Sequence, residues 1–209
     1  MTKPRVLLAD DHRLVAEGLR SLLADEFELV DIVEDGRALV KAARELNPDV
    51  IVADISMPHL NGIDALAQLK QDNPQVRVVL LTMHRNPAYA RRALQAGALG
   101  FVLKHSAPAE LVLAVRAALQ GRTFIAPELA AEVFRTPAKR EADPAAALTL
   151  RQREILQLLA QGQSAKQVAA ALNLSARTVE DHKYRLMEAL GIENNAELIH
   201  FAIKHGLIQ

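Results

Sequence analysis

Short apolar runs alternate with amphipathic segments over residues 1–122, and this alternation restricts the possible fold more than any other feature of the chain. Each of the five runs is apolar at consecutive positions, which is typical of parallel strands buried on both faces. The alternation predicts an α/β domain with a doubly wound, five-stranded parallel sheet and right-handed crossovers. The runs are Val6–Ala9, Leu29–Val33, Val50–Ala53, Val78–Leu81 and Gly100–Leu103. The helical segments that follow them lie near 13–24, 36–46, 62–72, 87–97 and 108–120.

The chain changes character after Gly121. Residues 123–147 contain three prolines, a charged run and several alanines, so they are predicted to form a linker with one helix near 127–135. From Leu148 onward there are no strand signals, and the sequence predicts an all-α domain of four helices over 148–209. The four helical segments are 150–161, 165–172, 176–190 and 195–205.

Residues that favour helix starts and ends flank these four segments. Thr149 with Gln152 matches a capping box, and Ser164 and Ser175 are favourable N-cap residues. A short turn, 172–175, joins the second and third helices, so these two are predicted to form a helix-turn-helix unit. The glycines expected at helix ends are Gly162, Gly191 and Gly206.

Composition narrows the functional classes. The 209 residues include no cysteine, which excludes a disulfide framework and thiol chemistry and fits a reducing compartment. No apolar stretch is long enough to span a bilayer, so we expect a cytoplasmic protein without membrane contact. The formal net charge is zero and tryptophan is absent. A strongly basic nucleic-acid binder is therefore not visible in the whole-chain charge, and an aromatic platform for single strands is not expected.

Polar residues stand where four of the predicted strands end. Asp10 and Asp11 follow the first strand and Asp54 the third, while Thr82 follows the fourth and Lys104 the fifth. Ligands of doubly wound sheets bind at this edge, so the side chains are expected to converge. Clustered carboxylates favour a hard cation such as Mg²⁺. An aspartate can attack phosphorus while a lysine and a hydroxyl position the phosphoryl group, so the strand ends indicate a phosphoryl-transfer site.

The first 122 residues also resemble the receiver domain of bacterial two-component response regulators. The matching segments are DDH at 10–12, DISMPHLNG at 54–62, LTMH at 81–84 and GFVLKHS at 100–106. The resemblance implies that Asp54 accepts phosphate from a sensor histidine kinase. It also implies that Lys104 pairs with the phosphoryl group and that Thr82 and Phe101 change conformation as a switch. The metal ligands it implies for Mg²⁺ are Asp11, Asp54, the Ser56 backbone carbonyl and Asp10, the last mostly through water.

Residues 148–209 resemble the DNA-binding domain of the NarL/LuxR group. The matching segments are LTLRQREIL at 148–156, the sequence from Ala160 to Leu172, and LSARTVEDH at 174–182. The resemblance implies that the third helix enters the major groove of double-stranded DNA. The contacts predicted on this basis are Lys166, Ser175, Arg177, Thr178, His182, Lys183 and Arg185. The fourth helix would dimerise through Ala196, Ile199 and Ile203.

The third helix departs from the family pattern because Glu180 and Asp181 stand where lysine or arginine is common. Residues 148–209 contain seven Lys and Arg against six Asp and Glu, a net charge of +1. Phosphate contacts supply much of the affinity for DNA, so a single module is expected to bind modestly without dimerisation. An output domain that binds protein or RNA stays open as an alternative.

Taken together, the two domains predict a transcription regulator that phosphorylation controls and that forms a homodimer when it is phosphorylated or bound to DNA. It would not be an enzyme, apart from catalysing its own phosphoryl transfer and dephosphorylation. An aspartyl-phosphate hydrolase is the alternative from another class. Such hydrolases usually need an acid two residues after the nucleophile, and that position is Ser56.

Overall fold

The computed structural model of the chain describes residues 2–83, 85, 87–106, 108–135, 144, 148–205 and 207–208, without the side chains of residues 132 and 135. The chain divides into two compact units, Met1–Pro137 and Ala138–Gln209. The strands of the first unit are β1 (Arg5–Ala9), β2 (Glu28–Val33), β3 (Val50–Asp54), β4 (Val78–Thr82), β5 (Gly100–Leu103) and β6 (Phe124–Ile125). Its helices are α1 (Arg13–Leu23), α2 (Gly36–Leu46), α3 (Gly62–Asp72), α4 (Pro87–Gln95), α5 (Pro108–Leu119) and α6 (Pro127–Arg135).

The strands form one parallel sheet in the order β2-β1-β3-β4-β5-β6. The chain runs outward from β1 to β2 and then crosses back to β3 on the other side of β1. Strand order therefore reverses between β1 and β3, and a crevice opens at their carboxyl ends. The predicted doubly wound parallel sheet is confirmed, and its switch point lies beside the predicted phosphoryl-transfer site.

Two hydrophobic layers cover the sheet. Alternate strand positions pack on opposite sides, as Leu7 and Leu8 of β1 illustrate. Helices α2, α3, α4 and α6 cover one face, while α1 and α5 cover the other. Because both faces are covered, every residue of β3, β4 and β5 is buried, as the consecutive apolar runs predict. Strand β2 lies at the edge of the sheet and is only partly buried.

The structure corrects the prediction of five strands and of a linker that begins at residue 123. Phe124 N–H donates to the Leu99 carbonyl at 2.9 Å, and Ala126 N–H donates to the Phe101 carbonyl at 2.9 Å, which adds β6 to the sheet. Helix α6 follows and buries Leu129 and Val133 against the first unit. A strand of two residues has no periodicity to detect, and the proline that opens α6 is also a common linker residue. Apart from residue 144, the rest of the predicted linker, 136–147, lies outside the described residues.

The second unit consists of helices, in agreement with the prediction. They are α7 (Leu150–Ala160), α8 (Ala165–Leu172), α9 (Ala176–Leu190) and α10 (Asn195–Lys204). Ile155 of α7, Val168 of α8 and Val179 of α9 are fully buried in one apolar core. Helices α8 and α9 pack on each other, and α7 contacts both α9 and α10. The predicted helix-turn-helix unit is therefore present, with α9 as its second helix.

The predicted helix caps explain where these helices begin. Thr149 with Gln152 and Ser164 with Gln167 form capping boxes, and Ser175 accepts a hydrogen bond from Thr178 N–H at 3.0 Å. Gly162 and Gly191 have left-handed backbones after their helices, at φ 83° and 65°. Asn173 adopts the left-handed conformation in the turn between α8 and α9. Gly206 lies outside the described residues.

Candidate functional site

The three predicted carboxylates meet at the carboxyl edge of the sheet. Asp10 and Asp11 continue from β1, and Asp54 is the last residue of the neighbouring strand β3. One ligand atom from each of Asp10, Asp11, His12 and Asp54 lies within 4.8 Å of the others. Asp10 and Asp54 are each only 1% exposed. Two carboxylates buried this closely repel each other unless a cation lies between them.

Lys104 provides that positive charge from the end of β5. Its Nζ atom lies 2.8 Å from Asp10 Oδ2 and donates a hydrogen bond of 2.7 Å to Asp54 Oδ2. The lysine side chain is 6% exposed, so water screens these ion pairs little. The structure therefore brings together residues that are 50 and 94 positions away from Lys104 in the sequence, as the strand-end analysis predicts.

The electrostatic interactions among Asp10, Asp54 and Lys104 raise the pKa of Lys104, while burial raises the pKa of the Asp54 carboxyl group. Burial raises the pKa of Asp54, and Lys104 counteracts the rise only in part, so the pKa stays above its ordinary value of 3.8. Burial lowers the pKa of Lys104, but attraction to Asp54 and Asp10 outweighs it and places the pKa above 10.5. At neutral pH the lysine is therefore a permanent cation beside the carboxylate.

The loop after β3 holds Asp54 in position. Ser56 donates its backbone N–H to the Asp54 carboxylate. Gly62 N–H donates to the Ile55 carbonyl at 2.8 Å, which folds the start of α3 back onto the strand. A Cβ atom on Gly62 would lie 2.2 Å from the Asp54 carbonyl oxygen, so no larger residue fits without displacement of the backbone. The close approach explains why glycine stands at this position.

Thr82 and Phe101 lie on the same side of the sheet. Thr82 ends β4 and is fully buried, and its carbonyl accepts a hydrogen bond of 2.8 Å from Lys104 N–H. Phe101 pairs in register with Leu80 and is fully buried in the layer beneath α4. Since Leu80 and Thr82 are two residues apart on one strand, they point to the same face. The switch prediction therefore concerns two side chains on one side of adjacent strands.

The oxygen-rich crevice fits a divalent cation. Among the described residues, Asp10 Oδ2 and Asp11 Oδ1 are buried oxygens without an assigned hydrogen bond, although Asp10 Oδ2 forms the ion pair with Lys104 and Asp11 Oδ1 lies 2.9 Å from His12 Nδ1. Buried carboxylate oxygens are normally satisfied by donors or by metal ions. The Asp11 side chain is 29% exposed, so an ion can reach this side of the crevice from solvent. The residues present therefore suit Mg²⁺, which prefers oxygen ligands and retains several waters.

Sequence reasoning missed two features near the site. His12 belongs to the group of possible metal ligands, but only its position after the aspartates could have drawn attention to it. Asp64 is 1% exposed in the first turn of α3, where it accepts a hydrogen bond of 2.7 Å from Asn61 Nδ2 and lies 3.4 Å from Arg92 Nη2 of α4. An acidic residue in a first helical turn normally faces solvent, so the sequence contains no signal for this buried link between α3 and α4.

The predicted DNA contacts occupy different environments on the second unit. Lys166, Arg177 and Arg185 are exposed, whereas His182 and Lys183 are partly buried. The hydroxyls of Ser175 and Thr178 lie 2.7 Å apart and hydrogen-bond to each other at the start of α9, with Ser175 exposed and Thr178 partly buried. Glu180 and Asp181 are exposed, and Tyr184, which was not among the predicted contacts, is 70% exposed on the same helix.

The predicted dimerisation residues form an exposed stripe on α10. Ala196 is exposed, Ile199 is 37% exposed and Ile203 is 48% exposed. Their spacing of three and four residues places them on one face of the helix, opposite the buried Leu198 and Ala202.

Comparison with known proteins identifies both units. A family model described as a response regulator receiver domain matches residues 6–116, and one described as bacterial regulatory proteins, luxR family, matches residues 146–202. Response regulator UvrY of Escherichia coli (strain K12) is 35% identical over 207 residues, covering 97% of this chain and 94% of UvrY. Response regulator GacA of Pseudomonas viridiflava is 33% identical and covers 98% of this chain and 97% of GacA.

Solved structures agree with these matches. The RcsB response regulator of Salmonella typhimurium superimposes with a TM-score of 0.67 at 30% identity, covering 98% of this chain and 99% of RcsB. A LuxR-family response regulator from Aurantimonas sp. SI85-9A1 has a TM-score of 0.62 at 37% identity and covers 64% of this chain and 97% of its own. In the part of the chain that the structure describes, no helix combines the length and the apolar character needed to cross a membrane. The chain belongs to the two-component response regulators of the NarL/FixJ family, with a receiver domain followed by a LuxR-type DNA-binding domain.

Proposed function

We propose that this chain accepts a phosphoryl group on Asp54 from a sensor histidine kinase and uses it to control DNA binding by its C-terminal domain. The observation that carries the proposal is the position of Lys104 Nζ, within 2.8 Å of both Asp10 and Asp54 at the switch point of the sheet. In the transfer, the P–N bond of a phosphohistidine breaks as an Asp54 oxygen forms the new P–O bond, and the kinase imidazole leaves with a proton from solvent.

Asp54 is the acceptor best suited to this chemistry. Its pKa is raised above the ordinary value by burial, which makes the ionised carboxylate more basic and a better nucleophile. Lys104 opposes this rise in the pKa, and its ammonium group can pair with the negative charge of the phosphoryl oxygens. Asp10 is less available, because its Oδ1 accepts a hydrogen bond of 2.9 Å from His12 N–H and its Oδ2 is paired with Lys104.

Magnesium is the proposed cofactor. Asp11, Asp54 and the Ser56 carbonyl would ligate it directly and Asp10 through water. When bound, Mg²⁺ neutralises charge on the phosphoryl oxygens and helps to hold them in line. Asp10 Oδ2 and Asp11 Oδ1, which are among the buried oxygens without a hydrogen-bond partner in the described residues, support this placement. Beyond its own phosphoryl transfer and dephosphorylation, no catalytic role is proposed. Ser56, two residues after the acceptor, is a weaker acid than a hydrolase of this class needs.

Phosphorylation is proposed to act through Thr82 and Phe101. A phosphoryl group carries a charge of about −1.5 to −2, and the Thr82 hydroxyl would turn toward it. Movement of Thr82 frees space beside Phe101, which lies on the same side of the sheet beneath α4. Helix α6 packs against α4, so a shift of α4 would also reach the segment that leads to the DNA-binding domain.

The C-terminal domain is proposed to read double-stranded DNA with α9 in the major groove. The contacts proposed for it are Lys166, Ser175, Arg177, Thr178, His182, Lys183 and Arg185. A dimer through Ala196, Ile199 and Ile203 would place two α9 helices on half-sites about 10 base pairs apart. RcsB, a relative, has been solved as two dimers bound to two parallel DNAs and bound to a promoter in the presence of phosphomimetic BeF3-. Because it is proposed to regulate bacterial transcription, the chain is proposed to act in the cytoplasm.

The test is phosphorylation with acetyl phosphate and Mg²⁺, comparing the wild-type chain with Asp54→Asn. We expect hydroxylamine-labile labelling of the wild type and none of the variant, and a mobility shift on operator DNA that phosphorylation strengthens only in the wild type. Equal labelling of both proteins would show that Asp54 is not the acceptor. A labelled protein that shifts no duplex DNA at any salt concentration would instead favour an output domain that binds protein or RNA.

A further inference from the structure

His12 faces the acidic cluster formed by Asp10, Asp11 and Asp54, and the proposed function does not use it. It directly precedes α1, yet its side chain makes no hydrogen bond that caps the helix. Its Nδ1 atom instead lies 2.9 Å from Asp11 Oδ1 and 3.4 Å from Asp10 Oδ1. The ring is therefore turned toward the carboxylates.

The distances suit a shared ion. In an octahedron with metal–ligand bonds of about 2.1 Å, adjacent ligands are about 3.0 Å apart and opposite ones about 4.2 Å apart. The 2.9 Å between His12 Nδ1 and Asp11 Oδ1 matches an edge of such an octahedron. The ligand atoms of the four residues lie within 4.8 Å of one another, which is only a little more than the distance of about 4.2 Å between opposite ligands of the octahedron. Asp11 Oδ1 and Asp10 Oδ2 are also among the buried oxygens for which the described residues provide no hydrogen-bond partner.

We propose that His12 ligates the divalent ion of this cluster through Nδ1 and biases the site toward transition metals such as Mn²⁺ and Co²⁺ over Mg²⁺. This inference rests on the proposed metal site. Imidazole nitrogen suits first-row transition metals, whereas Mg²⁺ prefers oxygen ligands. The His12 side chain is 54% exposed, so the ring can turn toward an arriving ion without unpacking the core. Which cations support phosphorylation would then depend on a residue that does not touch the phosphoryl group.

The experiment measures the affinity of the full chain for Mg²⁺, Mn²⁺ and Co²⁺ by isothermal titration. His12→Ala and His12→Gln are compared with wild type, and His105→Ala is the matched control. His105 is also a loop histidine, next to Lys104, but it is not part of the four-residue group. We expect both His12 variants to lose about tenfold or more in affinity for Mn²⁺ and Co²⁺ while Mg²⁺ binding changes little, and His105→Ala to change none of the three.

Pulsed electron paramagnetic resonance of the Mn²⁺-loaded chain gives a direct readout. A nitrogen coupling from a ligating imidazole should be present in the wild type and in His105→Ala and absent from both His12 variants. A coupling that persists without His12, or an equal loss of affinity for all three metals, would overturn the inference. Circular dichroism checks that each variant is folded.

A second variant separates failure of this inference from failure of the proposed function. Asp11→Asn should weaken all three metals if the acidic cluster holds the ion. If Asp11→Asn has this effect but His12→Ala leaves the Mn²⁺ to Mg²⁺ ratio unchanged, only the role of His12 is refuted. If Asp11→Asn binds every metal as wild type does, the proposed metal site itself is wrong, and the inference fails with it.

Discussion

Replacement of Gly62 by alanine tests whether the loop after β3 holds Asp54 in position. The added Cβ would lie 2.2 Å from the Asp54 carbonyl oxygen and 3.1 Å from the Ile55 Cα, whereas ordinary contacts begin at 3.4 Å. The Asp54 carbonyl oxygen belongs to the backbone and cannot rotate aside, so the start of α3 must move away from β3. The movement needed is about 1.2 Å, the difference between the 3.4 Å of an ordinary contact and the 2.2 Å to this oxygen. Overpacking of this kind typically costs about 1–3 kcal/mol of the free energy of unfolding.

The same displacement should slow phosphorylation. A misplacement of about 1 Å at a reacting group can lower a rate about 100-fold, so we expect Gly62→Ala to be labelled by acetyl phosphate at least tenfold more slowly than wild type. Gly18→Ala is the matched control, because Gly18 lies exposed in α1 with no atom within 4 Å of the added Cβ. We expect it to raise the free energy of unfolding by about 0.5–1 kcal/mol and to leave the labelling rate unchanged.

Urea unfolding and single-turnover labelling with acetyl phosphate and Mg²⁺ measure the two effects on the same preparations. If Gly62→Ala unfolds at the same urea concentration as wild type and is labelled at the same rate, the close approach to the Asp54 carbonyl does not constrain the acceptor. Loss of stability without a loss of rate would mean that the loop supports the fold but does not position the reacting carboxylate.

Two further predictions concern charge. The folded-state pKa of Asp54 lies above 3.8, so the native state binds a proton more tightly than the unfolded state does. The free energy of unfolding therefore falls as the pH rises from 3.8 through the folded-state pKa. Without divalent ions, Asp54→Asn should therefore be more stable than wild type at neutral pH, and urea unfolding should show this advantage vanish as the pH falls toward 3.8. Asp25→Asn, at an exposed aspartate, is the control. An advantage of Asp54→Asn that does not depend on pH, or an equal advantage of Asp25→Asn, would contradict the prediction. Arg177→Ala should weaken binding to operator DNA in mobility-shift titrations. If its guanidinium contacts phosphate, the slope of log affinity against log salt concentration should also fall by about 0.9, whereas the control Lys204→Ala on α10 should change neither quantity. Wild-type affinity and slope for Arg177→Ala would exclude Arg177 from the interface.

The element pattern was predictable because it depends on local sequence. Strands buried on both faces must be apolar at consecutive positions, and the helix starts at Thr149, Ser164 and Ser175 are encoded by residues that cap their own backbone. The convergence of Asp10, Asp54 and Lys104 was also predictable, since parallel strands bring their carboxyl ends to one edge. Strand β6 and the packing of α6 were not, because a two-residue strand has no period and its pairing depends on the exposed edge of β5.

The sequence by itself determined the two domains, the order of their elements and the chemical types at the strand ends, because periodicity, capping and strand burial act over a few neighbouring residues. Only the tertiary structure decided how close Lys104 Nζ comes to Asp10 and Asp54, at 2.8 and 2.7 Å. It also decided that Gly62 lies against the Asp54 backbone, that Asp64 is buried beside Arg92 and that His12 turns toward the acidic cluster. These are contacts between segments that are distant in sequence or depend on side-chain direction. Their geometry is set by how the sheet and helices pack, and no local pattern encodes it.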